Sequence, residues 1–284
     1  MNKVLACVDD SPRATAVCDY SIWAARLLEV QLQFLHVLDR DTERAGLADY
    51  SGALGMGAQE SLLEQLSSLD EERSRLAQEQ GRQILQAAHK RAEAAGAKDI
   101  DTLQRHGSLV EILLDLQPEI RLVVIGQQRS SGSASKWYLD QNAERVVRSL
   151  QRPVMVVDVD FKDPERFVIA FDGSQTGQKM VQMVAGSPLL KGLSCHVIAV
   201  GDESDTQQQN LDWANDTLAN EGFDVVRVVR PGEAEVVLRQ YLLEVDAHIL
   251  VMGAYGHSRI RHLIMGSTTS TLLRTSPVPV LVLR

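Results

Sequence analysis

The chain repeats itself, and that constrains its fold more than any other feature. Val4–Ser11 near the start is matched by Val168–Ser174 in the middle: an apolar run, then Asp9 or Asp172, then Ser11 or Ser174. Leu122–Gly126 is matched by Ile249–Gly253, and Arg152–Val157 by Ser276–Val282. Each copy opens and closes with these marks, so the boundary falls in the polar stretch Asp158–Glu165. Repetition on this scale predicts two units of one architecture.

Within each copy, short Val/Ile/Leu runs alternate with segments of helical periodicity. That alternation predicts an α/β fold, with a parallel sheet covered by helices on both faces. The first copy reads as strand Lys3–Val8, helix 13–29, strand Leu32–Leu38, helix 59–95, strand Asp101–Arg105, helix Leu109–Leu116 and strand Arg121–Ile125, with a last helix and strand to Val157. The second reads as strand Phe167–Phe171, helix 178–190, strand Ser194–Val200, helix 207–220, strand Val225–Val229, a helix to Val245, strand Ile249–Met252, a final helix and a final strand. Asp9 and Gly126 are 117 positions apart, Asp172 and Gly253 only 81. The extra residues fall around 40–69 and lead into the long helix. A leucine stripe, Leu62, Leu66, Leu69 and Leu76, is expected to pack on the sheet; a lid or a subunit contact is the alternative.

Open parallel sheets hold ligands beyond the carboxyl ends of their strands, where the strand order reverses. Asp172, Val200 and Gly253 stand at such ends. After Met252 the second copy runs Gly253-x2-Gly256-x9-Gly266-Ser267-Thr268. Glycines let a phosphate approach the backbone. The helix beginning at Ser267 and Thr268 offers unpaired N–H groups and a positive dipole end to an anion. No Lys follows Gly266, so this is not the phosphate loop of the GxxxxGK[ST] type. In the first copy Arg129 replaces the second glycine and Leu139 the third, with Asp140 behind it. That copy is expected not to bind nucleotide in the same way.

The spacing of Gly253, Gly256, Gly266 and Ser267, with Asp172 upstream and the closing Ser276–Leu283 strand, resembles the nucleotide-binding signature of the universal stress protein family. The resemblance covers almost the whole chain as two domains, 1–158 and 166–284. It implies two tandem Rossmann-like domains of the adenine nucleotide alpha hydrolase kind, each a five-stranded, mainly parallel sheet with helices on both faces. It further implies an adenine nucleotide in the second domain: ATP, or ADP or AMP, with or without Mg. Asp172 would meet the nucleoside, Val200 the adenine, and Met252 and Gly253 would line the pocket. Gly256, Gly266, Ser267 and Thr268 would cradle ribose and phosphates. The family's pairing through its last strand implies an internal pseudo-dimer, with a homodimer through the long helix as a further expectation.

Composition narrows the rest. A formal net charge of −9 argues against a nucleic-acid backbone as partner. The beginning turns acidic at Asp9, too early for a signal peptide, and no apolar run approaches membrane-spanning length. Three cysteines, Cys7, Cys18 and Cys195, match neither a disulfide framework nor a zinc site, and suit a reducing, cytoplasmic setting. His248, His257 and His262 lack a carboxylate or thiolate at ligand spacing, so no metal site is expected. Ser267 or Thr268 with His262 lacks an orienting acid, so no catalytic residue is assigned. The expected function is a cytoplasmic stress-response protein that binds ATP in its second domain. A nucleotide-independent scaffold or chaperone-like interaction protein is the alternative, and a slow ATP hydrolase the third.

Overall fold

The computed structural model describes residues 3–38, 56–127, 137–254 and 267–284. Ten strands form one sheet. From residues 3–157 come β1 (Lys3–Cys7), β2 (Gln31–Leu38), β3 (Ile100–His106), β4 (Ile120–Gly126) and β5 (Val154–Val157). From residues 166–283 come β6 (Arg166–Ala170), β7 (Ser194–Val200), β8 (Val225–Arg230), β9 (Ile249–Gly253) and β10 (Val280–Leu283). The order is β3-β2-β1-β4-β5-β10-β9-β6-β7-β8. Within each repeat every pairing is parallel. The two halves meet where β5 runs antiparallel to β10, Met155 opposite Leu281.

Eight α-helices connect the strands among the described residues: α1 (Ala14–Leu28), α2 (Met56–Ala94), α3 (Leu109–Leu116), α4 (Trp137–Ser149), α5 (Gln175–Ala185), α6 (Asp205–Ala219), α7 (Ala234–Glu244) and α8 (Ser267–Thr275). Alternation along each strand sends side chains to two faces. Val4, Ala6, Phe167 and Ile169 pack under α1, α2, α5 and α6. Leu5, Val168 and Leu250 pack under α3, α4, α7 and α8. A strand buried on both faces has no polar phase, which is why inner strands such as β5, β9 and β10 read as unbroken apolar runs, while the edge strands β3 and β8 are exposed or half-buried along their length.

Most expected elements lie within a few residues of their predicted bounds. The helix expected over 178–190 is the clearest correction. It starts at Gln175, because the Ser174 hydroxyl caps it by accepting from the Gly177 N–H at 3.0 Å. It ends at Ala185, before Gly186, and Pro188 opens a separate 3-10 turn, Pro188–Leu190. Proline lacks the N–H that a continuing helix needs.

The leucine stripe is a second correction. Leu69 and Leu76 are 51% and 59% exposed rather than packed on the sheet. The packing surface of α2 is Leu85, Ala88 and Ala92, near its other end. There Gly81 crosses His36 and Gln104 so closely that a Cβ would fall 2.4 Å from the Gln104 amide. The side chains of Leu62 and Leu66, and the part of the insert before Met56, lie outside the described residues. No described helix is long and apolar enough to cross a membrane.

Candidate functional site

The strand order places a reversal between β6 and β9 in the second repeat. β6 continues through α5 to β7 on one side, while β9 continues through α8 to β10 on the other. The ends of β7, β6 and β9 are neighbours, with Ala170 paired to Ile198 and to Met252. This brings together four of the residues singled out from the sequence. Asp172 stands two positions beyond Ala170, Val200 two beyond Ile198, and Met252 and Gly253 finish β9. Ser267 and Thr268 begin α8, whose start faces this end of the sheet because α8 links parallel β9 to β10. Thr268 is half-buried, and Thr269 beside it is buried. Gly256 and Gly266 lie outside the described residues, so the loop between β9 and α8 contributes no geometry here. The same holds for Arg129 and, as a side chain, for Leu139 in the first repeat.

Asp172 is exposed and accepts the Ser174 N–H at 3.0 Å through Oδ1. This is an Asx turn, which Gly173 completes at φ +70°. Two residues not singled out from the sequence support it. Gly177, in the first turn of α5, leaves space for the carboxylate: a Cβ there would lie 2.7 Å from Asp172 Oδ1. Asn210 of α6 lies against Gly173, where a Cβ would fall 2.4 Å from its Nδ2. A signal for Gly177 was available, since its counterpart in the first repeat is Ala14 and glycine is costly inside a helix.

Among the described residues, the nearest atom to a Cβ built at Gly253 is Thr176 Cγ2, at 3.6 Å, an ordinary van der Waals contact. The first repeat keeps the turn but is tighter at the corresponding glycine. Ser11 N–H donates to Asp9 Oδ1 at 3.1 Å, as its counterpart does. Gly126, the counterpart of Gly253, is crowded by Arg13 Cβ at 3.2 Å and Val17 Cγ2 at 3.3 Å. Arg13 occupies the position of Thr176. Its guanidinium reaches Asp158 at 3.3 Å and Asp160 at 3.8 Å, and Asp158 is buried. The ion pair therefore places the protein's own charges at the strand ends of the first repeat. Arg13 was not singled out from the sequence, where it reads only as a helix start.

No activated nucleophile emerges among the described residues. Burial, and then the nearby carboxylate of Asp9, pushes the Cys7 thiol up to about 12. Cys18 and Cys195 are likewise pushed up to about 12, chiefly by burial. Thiols that resist ionisation are poor nucleophiles. Among the described residues no group of three or more His, Cys, Asp or Glu is placed to hold a metal ion.

Comparison with known proteins follows the same two-part division. A model of the Universal stress protein family matches residues 1–158 and 164–284. Universal stress protein Slr1230 of Synechocystis sp. is 32% identical over 287 residues, with 100% of both chains covered. The crystal structure of a universal stress protein from Archaeoglobus fulgidus superposes with a TM-score of 0.68 at 19% identity, covering 100% of this chain and 96% of that one. A putative universal stress protein from Pseudomonas aeruginosa gives 0.63 at 16% identity, covering 100% and 93%. At such identities the two structures speak for the fold alone.

Proposed function

The chain belongs to the universal stress protein family, and from that premise we propose that it binds an adenine nucleotide in its second repeat only. The observation that carries this reading is the difference between the two strand-end glycines. Among the described residues, a Cβ at Gly253 would make only an ordinary contact with the small Thr176, whereas one at Gly126 would be crowded by Arg13 and Val17. In the proposed complex Asp172 contacts the ribose through its carboxylate. The Val200 backbone meets the base, while Met252 and Gly253 form the floor. Gly256, Gly266, Ser267 and Thr268 hold the phosphates at the start of α8. ATP is the proposed ligand, ADP or AMP fits the same groups, and a Mg ion would accompany the phosphates.

The domains are proposed as 1–158 and 166–284, and the antiparallel pairing of β5 with β10 supports an internal pseudo-dimer of them. The protein would act in the cytoplasm as a regulatory stress protein. The nucleotide would order the loop between β9 and α8 and so change a surface read by a protein partner. Titration calorimetry of ATP on Gly253→Val tests the site. Among the described residues the added Cβ would meet only Thr176 Cγ2, at 3.6 Å, so the fold should persist while binding is lost. Affinity equal to that of the parent chain would contradict the assignment.

A second reading, a nucleotide-independent scaffold, is favoured by one observation. Leu69 and Leu76 present apolar surface on α2 that the sheet does not cover. If ATP and Mg produce neither heat nor a shift in unfolding temperature, this reading replaces the first.

A further inference from the structure

The seam between the repeats is nearly two-fold symmetric, but its two hollows are filled differently. α1 and α5 lie over the seam on the same face of the sheet. In the repeat alignment, Tyr20 of α1 corresponds to Met183 of α5, and Ser21 to Val184. On the Tyr20 side, the segment after β5 fills the hollow. The ring of Phe161 stands edge-on to Tyr20, with centroids 4.8 Å apart, packed on the core. On the Met183 side there is a cavity of about 320 Å³. Leu28 and Leu122 of the first repeat and Met183, Leu190, Leu281 and Leu283 of the second form its apolar wall.

Two cations share that cavity. Arg121 precedes Leu122 on β4, and Arg152 precedes Pro153 at the start of β5. The strands are neighbours in parallel register, Val123 opposite Val154, so the two arginines stand side by side at one end. Arg152 is anchored, its Nε donating to the Gln117 carbonyl at 3.0 Å. Arg121 has no hydrogen bond or ion pair among the described residues. It is also the extra residue of a bulge. Lys3 pairs with Ile120 and Val4 with Leu122, leaving Arg121 unopposed in β1. A bulge re-aims a side chain.

We propose that this seam cavity binds a small amphipathic carboxylate. The apolar body takes the place that Phe161 takes in the other hollow, and the carboxylate lies on Arg121 and Arg152. The planar guanidinium of Arg121, with the Arg152 charge held beside it through the Gln117 and Pro118 carbonyls, suits a carboxylate better than an uncharged head group. The volume falls within the range of small-molecule sites. Because both repeats supply the wall, an occupant joins them and stabilises the seam by mass action. The cavity is formed at the seam, where Leu283 of its wall is paired with Gly253, and the proposal does not depend on the nucleotide reading.

Octanoate is the probe, with octanol as its uncharged counterpart, titrated into the full chain by calorimetry. One octanoate should bind per chain, and octanol more weakly. Arg121→Ala should weaken octanoate about tenfold, as the loss of a charge-assisted hydrogen bond does. Gly186→Leu should abolish binding by filling the cavity. Gly186 has φ −81°, and a Cβ there meets only the Gln182 carbonyl oxygen, at 3.5 Å, so the unfolding temperature should be retained. No uptake of octanoate by the parent chain, or undiminished uptake in both variants, would overturn the proposal.

Discussion

The two repeats share a sheet, a strand order and an Asx turn, yet their strand ends differ. In the second repeat Thr176 stands beside Gly253, and Arg284 occupies the position after β10. In the first, Arg13 stands beside Gly126, and Asp158 follows β5. Exchanging Thr for Arg and Arg for Asp puts an ion pair at the strand ends of the first repeat. On the proposed reading, conserving the backbone turn is not enough to conserve a site, and the side chain beside the strand-end glycine decides.

Arg13→Ala should break this comparison most severely. It removes the guanidinium beside the buried Asp158 carboxylate, which should cost about 2 kcal/mol. Arg284→Ala, in the corresponding place of the second repeat, removes donors to the Arg148 and Leu150 carbonyls, both at 2.9 Å. That should cost about 1 kcal/mol. Urea unfolding of the two variants side by side measures the difference.

The glycines give the next effect. Gly126→Ala forces a Cβ against Arg13 and Val17 and should cost about 1–2 kcal/mol by overpacking. Gly253→Ala, with only Thr176 Cγ2 at 3.6 Å, should cost less than about 1 kcal/mol. Equal costs would show that both strand ends are packed alike.

The smallest effect concerns pH. His196 in β7 occupies the position held by Gln33 in β2, which donates to Asp101. His196 Nδ1 is 2.7 Å from the Tyr241 hydroxyl. Burial, and then Arg166, hold the His196 pKa below its ordinary 6.5. The folded state thus resists a proton that the unfolded chain accepts. The associated stability is present above about 6.5 and is lost as pH falls toward the depressed value. Unfolding midpoints should fall with acidification, and less steeply in His196→Gln, which copies the first repeat. Identical slopes would remove His196 from the account.

Much of this was legible in the sequence. Apolar runs marked the strands because both faces are buried, and the duplication located the equivalent ends. Asp172, Val200, Met252 and Gly253 could be placed at neighbouring strand ends because strand ends follow directly from strand runs. The bounds of the helix at Gln175–Ala185 are set by the Ser174 cap and by Gly186 and Pro188, single-residue signals that the expected span 178–190 did not weigh. The exposure of Leu69 and Leu76 was not legible, since a periodic stripe states which residues share a face and not whether the sheet reaches it. Arg13 was missed for a related reason. Its partner Asp158 is 145 positions away, and only the fold brings β1, β4 and β5 together.

The most direct measurement is the number of ATP molecules bound per chain, by calorimetry in the presence of Mg. The account predicts one, lost in Gly253→Val and kept in Gly126→Ala. Two per chain would mean that the Arg13–Asp158 pair does not close the first repeat, and none would contradict the nucleotide reading itself.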